Sequence, residues 1–450
     1  AATELPATVV QSTQPAPAPA PAPEPAPVPV APSAPVVKAP APVILNDAAP
    51  YVADVPVSAG RNDIPQMENA RSTTTFTGEF IEDLSPLELE NVITRSAGVS
   101  LSHAGEARTK DYSIRGFSAT QLRNGFSGIQ FGANAAIEPY SLERLEVLKG
   151  SDSIAYGDTT PGGFINYVSK RPLGREHGEF GVEFGSFNAI SPRFDIGGRI
   201  GGVPADGGKL VIDDKSPLYS SKAAYAKMPV GEGHPSLDYR IVGLYDYHES
   251  FKDYEHASNR YYIAPSVRYN FSDTTSLTVY AEIMEDRTFS DYGVPVDRFG
   301  RFVTPRDFII GHPSEFVDRE ERVFGYDFVH EINDNWTFEH RGVYQYASYS
   351  YSDLALPVAY NDLTRTVMRV PAWQGQVGDY YAMQFNLSGD FEIAGLRNRL
   401  YTGVDISKTE TVGSTRYDPG SPLFLNVDNP VYGALPTAMM PFPPFGDETV

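Results

Sequence analysis

The chain has 450 residues, no cysteine, and 57 acidic against 36 basic residues, which gives a formal net charge of −21 at pH 7. This charge balance disfavours nucleic-acid binding, because such proteins need basic surface to displace phosphate counterions. The lack of cysteine excludes thiolate catalysis, cysteine-ligated zinc and disulfides. No stretch approaches the roughly 18 apolar residues of a membrane-spanning helix, whereas β-barrel strands stay possible because they hide their apolar face by alternation.

The N-terminal region is predicted to be a tail and a linker. Residues 1–13 form the tail, and residues 14–61 form the linker, which begins with a run dominated by proline and alanine. This composition favours extended polyproline II and does not build a packed core.

Residues 62–172 are predicted to form a compact mixed α/β domain. A short helix is expected over 85–93, with Ser85 as its N-cap and Gly98 after its end. Strands are expected at 112–115, 142–148 and 164–168.

The remaining part, 173–450, changes to long alternating strands. Alternation of apolar and polar residues predicts strands with one buried face. Soluble β-sandwiches alternate too, but many of these runs exceed the ~9–11 residues of a tilted membrane strand and carry aromatic residues near their ends, which favours a membrane barrel. We count nine strands, near 178–187, 192–200, 237–251, 259–272, 275–287, 321–333, 335–350, 378–393 and 397–411.

The connections between these strands fall into two classes. Short turns are expected at 272–274 and 333–335, and we assign these to the periplasmic side. Polar stretches rich in proline and glycine are expected to be long extracellular loops, and they lie at 202–236, 288–320, 351–376 and 412–450.

Three segments of the α/β domain resemble one family. Residues 94–99 resemble the end of a plug helix, and residues 111–117, DYSIRGF, resemble a plug strand that ends in Ile-Arg-Gly-Phe. Residues 140–172, YSLERLEVLKGSDSIAYGDTTPGGFINYVSKRP, resemble the second half of the same plug. On these motifs the chain is similar to TonB-dependent outer-membrane receptors of the ferric-siderophore kind.

The resemblance implies a mixed α/β plug domain inside an antiparallel transmembrane β-barrel. Such receptors have about 22 strands, and roughly nine are expected here, so we expect the chain to be the plug and the N-terminal part of the barrel, incomplete at its C-terminus. The implied location is the outer membrane of a Gram-negative bacterium, as a monomeric multi-pass barrel in contact with outer-membrane lipid.

The resemblance also implies a transporter and no enzyme. A ferric siderophore would bind outside and enter the periplasm with energy transmitted by TonB and its inner-membrane complex. No cofactor is expected, since ferric iron would arrive only inside the siderophore, and no catalytic motif such as HExxH or GxSxG is present. The alternatives are an energy-independent porin-like or adhesin-like barrel, and TonB-dependent import of another scarce ligand such as cobalamin.

Ligand contacts are expected from plug loops that face outwards. Arg123 would pair with an anionic chelate, Phe131 would stack on it, and Gln121 would donate hydrogen bonds. The alternative for each residue is ordinary loop surface. The full candidate set is His103, Gln121, Arg123, Phe131 and Asn134.

Two further functional elements are implied. A TonB box, which binds TonB by adding a strand to its sheet, is expected in the tail, with residues 42–46 as a competing location. Arg115 and Lys149 are expected to pair with barrel-wall carboxylates and to lock the plug, against the alternative of two solvated charges. No metal site is expected, and we assign His248 and His256 to polar positions facing the barrel lumen. The box residues are Leu5, Pro6, Ala7, Thr8, Val9 and Val10.

Overall fold

The computed structural model describes residues 71–84, 89–105, 109–129, 137–157, 159–201 and 235–435. The predicted tail, linker and TonB box lie outside these residues. We call described residues 71–171 the plug, and the large sheet that follows it the wall. None of the helices in the described ranges is long and apolar enough to cross a membrane.

The plug is built from short strands and helices. The strands are β1 (Ser72–Thr77), β2 (Val99–Gly105), β3 (Thr109–Ile114), β4 (Phe117–Ser118), β5 (Thr120–Arg123), β6 (Leu142–Lys149) and β7 (Gly163–Ser169). The helices are α1 (Gly78–Leu84), α2 (Glu90–Ile93) and α3 (Ser153–Tyr156), with a 3-10 turn at Pro139–Ser141. One sheet has the order β1–β6–β7–β5, and a second joins β2, β3 and β4.

Strand β6 lies at the centre of the plug, between β1 and β7. Both of its edges are therefore paired, and its apolar residues Leu145 and Val147 are fully buried. The charged residues that alternate with them, Arg144 and Glu146, are buried as well and form an ion pair of 2.6 Å. A buried cation requires such a partner.

The three plug strands predicted from the sequence are confirmed, and the predicted helix only in part. Helix α2 covers the end of the expected 85–93 helix, while residues 85–88 lie outside the described ranges. Helix α1 was not predicted. Gln121 and Arg123, predicted to lie in outward-facing loops, belong to strand β5, which pairs in parallel with β7, so that placement was wrong.

The wall is an antiparallel sheet in which nine strands follow one another in chain order. They are β8 (His177–Phe184), β9 (Ile190–Gly201), β10 (Ser236–His248), β11 (Ser258–Ser272), β12 (Thr275–Phe289), β13 (Phe316–Asn333), β14 (Trp336–Asn361), β15 (Thr366–Ile393) and β16 (Leu396–Tyr417). A short strand, β17 (Leu423–Asn426), pairs with the start of β15. All nine predicted strands are confirmed, and within the described residues the sheet does not close into a barrel.

The two faces of the wall differ in polarity. In β12, Glu282 and Asp286 are buried on the face towards the plug, whereas Val279 on the opposite face is 52% exposed. The same alternation buries Asp195, Asp238, Arg268 and Asp327 and exposes Ile263, Phe324, Met383 and Val404. A polar inner face and an apolar outer face are typical of membrane barrels and the reverse of a soluble sandwich.

The predicted loop at 351–376 is wrong. Strand β14 runs to Asn361 and β15 begins at Thr366, so only a tight turn joins them. Pro357 and Pro371 made this stretch resemble a loop. The pairing of β14 with β15 shifts register next to Pro357, and such irregularities accommodate a residue that has no N–H to donate.

The predicted sides of the 202–236 loop and of the short turns cannot both be right. Gly201 pairs with Ser236, and Ser236 pairs with Asn270, next to the tight turn between Ser272 and Thr275. The connection therefore joins its two strands at the same end of the wall as the short turns. In an antiparallel sheet whose strands follow one another in chain order, successive connections alternate between the two ends of the sheet. The place of a connection in this order therefore fixes the end at which it joins its strands.

Candidate functional site

The plug meets the polar face of the wall mainly through its cationic side chains. Arg123, at the end of β5, forms ion pairs with Glu282 on β12 and with Glu321 on β13, the second at 2.7 Å. The Arg123 side chain is 11% exposed. Burial alone would lower the pKa of Arg123, but the charges of Glu282 and Glu321 outweigh it and raise that pKa.

The segment that leaves the plug makes a second set of contacts with the wall. The Arg171 guanidinium lies 3.6 Å from Glu282 and 3.6 Å above the centre of the Tyr280 ring. Lys170 binds Glu82 of helix α1 at 2.6 Å and Asp195 of the wall at 3.2 Å. Lys170 thus links helix α1 to the wall.

A wall arginine reaches into the plug beside this segment. Arg240 donates two hydrogen bonds to Asp195, of 2.8 and 2.7 Å. Its remaining nitrogen donates to Glu143 at 3.2 Å and to the carbonyl of Arg171 at 3.0 Å. One guanidinium therefore joins two wall strands to two plug segments.

One apolar contact accompanies these charges. Tyr140 packs on a wall cluster formed by Val242, Leu244, Tyr262, Ala264 and Met284. Its hydroxyl donates to Glu179 at 3.4 Å, and Lys170 lies 4.1 Å from its ring centre. Burial, with Glu179 and Asp195 nearby, raises the pKa of the Tyr140 hydroxyl.

The segment that follows β5 runs along β14 and β15. Arg341 donates to the carbonyl of Asn124 at 2.8 Å, and Gln384 donates to that of Gly125 at 3.2 Å. The amide of Ile129 donates to Gln345 at 2.9 Å. These bonds fix the chain immediately before residues 130–136, which contain the candidates Phe131 and Asn134 and lie outside the described ranges.

The other ligand candidates are placed as follows. Gln121 lies inside the plug, where it accepts a hydrogen bond of 2.8 Å from Tyr167 and donates one of 3.0 Å to the carbonyl of Lys110. The backbone of His103 lies on β2, opposite Asp111. Arg123 binds wall carboxylates. Direct ligand contact by any of the five residues stays a prediction.

Lys149 lies at the opposite end of the sheet β1–β6–β7–β5 from Arg123, and Arg115, which follows β3, is near enough to Lys149 for their charges to repel. Lys149 pairs with Gly163 at the start of β7, whereas Arg123 pairs with Tyr167 near its end. Burial, together with the charge of Arg115, lowers the pKa of Lys149. Within the described residues neither cation forms an ion pair with a wall carboxylate, and the predicted lock stays a prediction.

The two histidines considered for metal binding have other neighbours. His248 lies 3.1 Å from Asp246, and the His256 ring packs edge-on against Phe316 at 5.0 Å. The described part of the chain holds no group of three or more side chains arranged to bind a metal ion.

Sequence reasoning missed the wall residues that hold the plug. Glu282, Glu321, Arg240 and Arg260 sit at inward positions of alternating strands, so the pattern shows only that they face the lumen. Which plug residue each one meets depends on contacts between positions up to 198 residues apart, as for Arg123 and Glu321.

Comparison with known proteins identifies the plug domain. The family model described as TonB-dependent Receptor Plug Domain matches residues 65–164. Residues 65–164 are therefore a TonB-dependent receptor plug domain. The resemblance read from the sequence is confirmed.

Two relatives that this chain resembles are named for ferrioxamine and for ferrichrome. The chain is 25% identical over 374 residues to the ferrioxamine receptor of Yersinia enterocolitica, covering 80% of this chain and 47% of the relative. It is 26% identical to the ferrichrome outer membrane transporter/phage receptor of Escherichia coli K12, covering 88% and 53%. The chain thus spans about half the length of the curated relatives it matches.

Solved structures agree on the fold. The ferric preacinetobactin receptor of Acinetobacter baumannii superposes with a TM-score of 0.70 at 17% identity, covering 86% of this chain and 55% of that structure. The ferripyoverdine receptor of Pseudomonas aeruginosa gives a TM-score of 0.68 at 17% identity, covering 86% and 50%. Both likenesses show a plug domain and a portion of an antiparallel barrel.

Proposed function

We propose that this chain is the plug and N-terminal wall of a receptor that binds a ferric siderophore outside the cell and imports it across the outer membrane. The observation that carries the proposal is the plug, fastened to the polar face of a sheet whose other face is apolar. Such a sheet suits a lipid environment with a filled lumen. A folded domain in the lumen would block passive diffusion, so this arrangement does not suit a passive porin.

Two hydrogen bonds to the wall flank the plug segment that we propose for ligand contact. Ile129 is bound by Gln345 and Glu138 by Arg260, and residues 130–136 connect these two points. Phe131 and Asn134 are therefore our first candidates for siderophore contact. His103 and Gln121 remain secondary candidates.

Energy coupling is the second part of the proposal. Residues 5–10 would bind TonB by strand addition, and the linker at 14–61, at about 3.1 Å per residue in polyproline II, is long enough to carry them well away from the plug. The receptor would act as a monomer in the outer membrane.

The test is uptake of radiolabelled iron by a Gram-negative host that lacks its own siderophore receptors. The host would express the receptor that contains this chain and receive iron as ferrichrome, as ferrioxamine B or as ferripyoverdine, with cobalamin as a separate labelled substrate. We expect uptake of at least one iron chelate, and its loss in a host without TonB. Uptake that continues without TonB would instead indicate a passive barrel, and uptake of cobalamin alone would change the ligand class.

A further inference from the structure

We propose that Arg123 is a plug fastener, held in a clamp by the two wall carboxylates Glu282 and Glu321, and that it does not contact the ligand. The clamp is the set Arg123, Arg171, Glu282 and Glu321. It is independent of the predicted lock at Arg115 and Lys149, and it does not depend on which ligand the receptor carries.

The first argument is the burial of the charges. The side chains of Glu282 and Glu321 are 2% and 5% exposed, and that of Arg123 is 11% exposed. A planar guanidinium presents donors in a fork, so it can bind two carboxylates at once. Both carboxylates already hold this fork, which leaves little of it for a chelate arriving from outside.

The second argument is charge balance. Glu282 also faces Arg171 at 3.6 Å and accepts a hydrogen bond of 3.2 Å from the Tyr262 hydroxyl. The clamp therefore contains two cations and two carboxylates. Removing one partner from such a buried group strongly destabilises it, because an uncompensated charge remains.

The third argument is the position of the clamp. Glu321 accepts a hydrogen bond of 2.6 Å from Gln345, the residue that accepts the Ile129 amide. The clamp therefore fixes strand β5, the segment that leaves the plug at Arg171 and, through Gln345, the backbone of Ile129. All three plug segments therefore contact the wall through one connected set of polar side chains.

The experiment measures how readily a single introduced cysteine on the wall is labelled, which is possible because the chain has no cysteine of its own. A Ser266→Cys reporter on the inner face of β11, where Ser266 is 5% exposed, would be labelled with a bulky, charged maleimide in outer-membrane preparations without siderophore. We expect slow labelling in the reporter parent. With Glu282→Gln and Glu321→Gln together, labelling should be faster by about tenfold or more, because Arg123 loses both of its carboxylate partners and Arg171 loses the charge of Glu282.

The controls separate the clamp from a general loss of charge. Asp318→Asn removes an exposed wall carboxylate that pairs with Arg287 at 2.7 Å, and it should leave the labelling rate unchanged. Arg123→Lys keeps the charge and loses the fork, so its labelling rate should fall between those of the parent and the double variant. Arg123→Ala should match the double variant where it accumulates in the membrane.

An unchanged labelling rate in the double variant would overturn the clamp. So would an Arg123→Ala variant that labels like the parent yet binds ferrichrome or ferrioxamine B more weakly, since that result assigns Arg123 to the ligand. The measurement needs neither siderophore nor TonB. Its failure would leave the proposed transport function untouched, and failure of transport would leave the clamp untouched.

Discussion

Glu138 of the plug accepts a hydrogen bond of 2.8 Å from Arg260 of the wall, and its other carboxylate oxygen accepts the backbone N–H of Tyr140 at 3.2 Å. One side chain therefore caps the 3-10 turn at Pro139–Ser141 and anchors that turn to β11. Arg260 keeps a second partner, Asp286, at 2.9 Å.

This double role predicts a graded response at position 138. Glu138→Gln keeps an acceptor for the Tyr140 amide but loses the charge, whereas Glu138→Ala loses both bonds. We expect local stability of residues 137–142 to fall by about 1 kcal/mol for the glutamine and by about 2–3 kcal/mol for the alanine. Hydrogen–deuterium exchange of these residues measures it. Equal exchange in the two variants would show that the cap contributes nothing.

Gly163 is predicted to be irreplaceable. It has φ of +109°, and a Cβ at this position would lie 2.1 Å from the carbonyl oxygen of Leu148. Gly163→Ala should separate β7 from β6 and lower the free energy of unfolding by more than about 4 kcal/mol, which is exceptionally large for a single substitution. The measurements are exchange protection of β6 and the yield of folded protein.

The matched control for that change is Gly116→Ala. Gly116 also has positive φ, +86°, but nothing lies within 4 Å of its Cβ position. Only the conformational cost of about 1–2 kcal/mol then applies. Similar losses at the two positions would contradict the steric explanation.

Lys149 should titrate below its ordinary pKa of about 10.4. Burial and the positive charge of Arg115 disfavour its charged form, so the folded plug holds this proton less tightly than the unfolded chain does. Protonation of Lys149 thus opposes folding, and its contribution to stability rises with pH between the lowered folded value and about 10.4. NMR of isotopically dimethylated lysines measures the pKa.

Arg115→Gln is the matching variant, and it should move the pKa of Lys149 upward. A wild-type pKa above the ordinary value would contradict this prediction. It would also reveal a carboxylate partner and so support the lock at Arg115 and Lys149.

Deleting residues 5–10 should abolish iron uptake while leaving siderophore binding intact. The deletion removes the proposed TonB strand but no part of the plug or wall. Uptake of radiolabelled iron and quenching of tryptophan fluorescence by ferric siderophore measure the two activities separately. A deletion of equal length at 20–25, within the proline-rich run, is the control, and normal uptake after the first deletion would move the TonB box to another segment.

The wall strands could be predicted because alternation is a local signal. Each strand of the wall places polar residues such as Glu282 on one face and apolar residues such as Val279 on the other, and this pattern needs no knowledge of neighbours. The plug motifs were equally local. Strand ends were harder, since Pro357 and Pro371 are ordinary loop residues that here lie within paired strands.

The contacts that fasten the plug could not be predicted. Arg123 and Glu282 are 159 residues apart in sequence, and neither position is unusual by itself. Arg123 looked like a loop residue suited to an anionic ligand, because a cation near an aromatic residue in a polar stretch fits a pocket as well as it fits an ion pair. Only the packing of β5 against β7 turns it towards the wall.

The pairing of Gly201 with Ser236 has a consequence for the sidedness of the protein. If the tight turns at 272–274 and 333–335 face the periplasm, the connection of residues 202–234 starts and finishes there as well. An antibody or a protease added to intact cells would then have no access to the ends of β9 and β10 at Gly201 and Ser236. A tag inserted between β11 and β12 would report on the inside of the envelope, and the same tag between β14 and β15 would report on the outside.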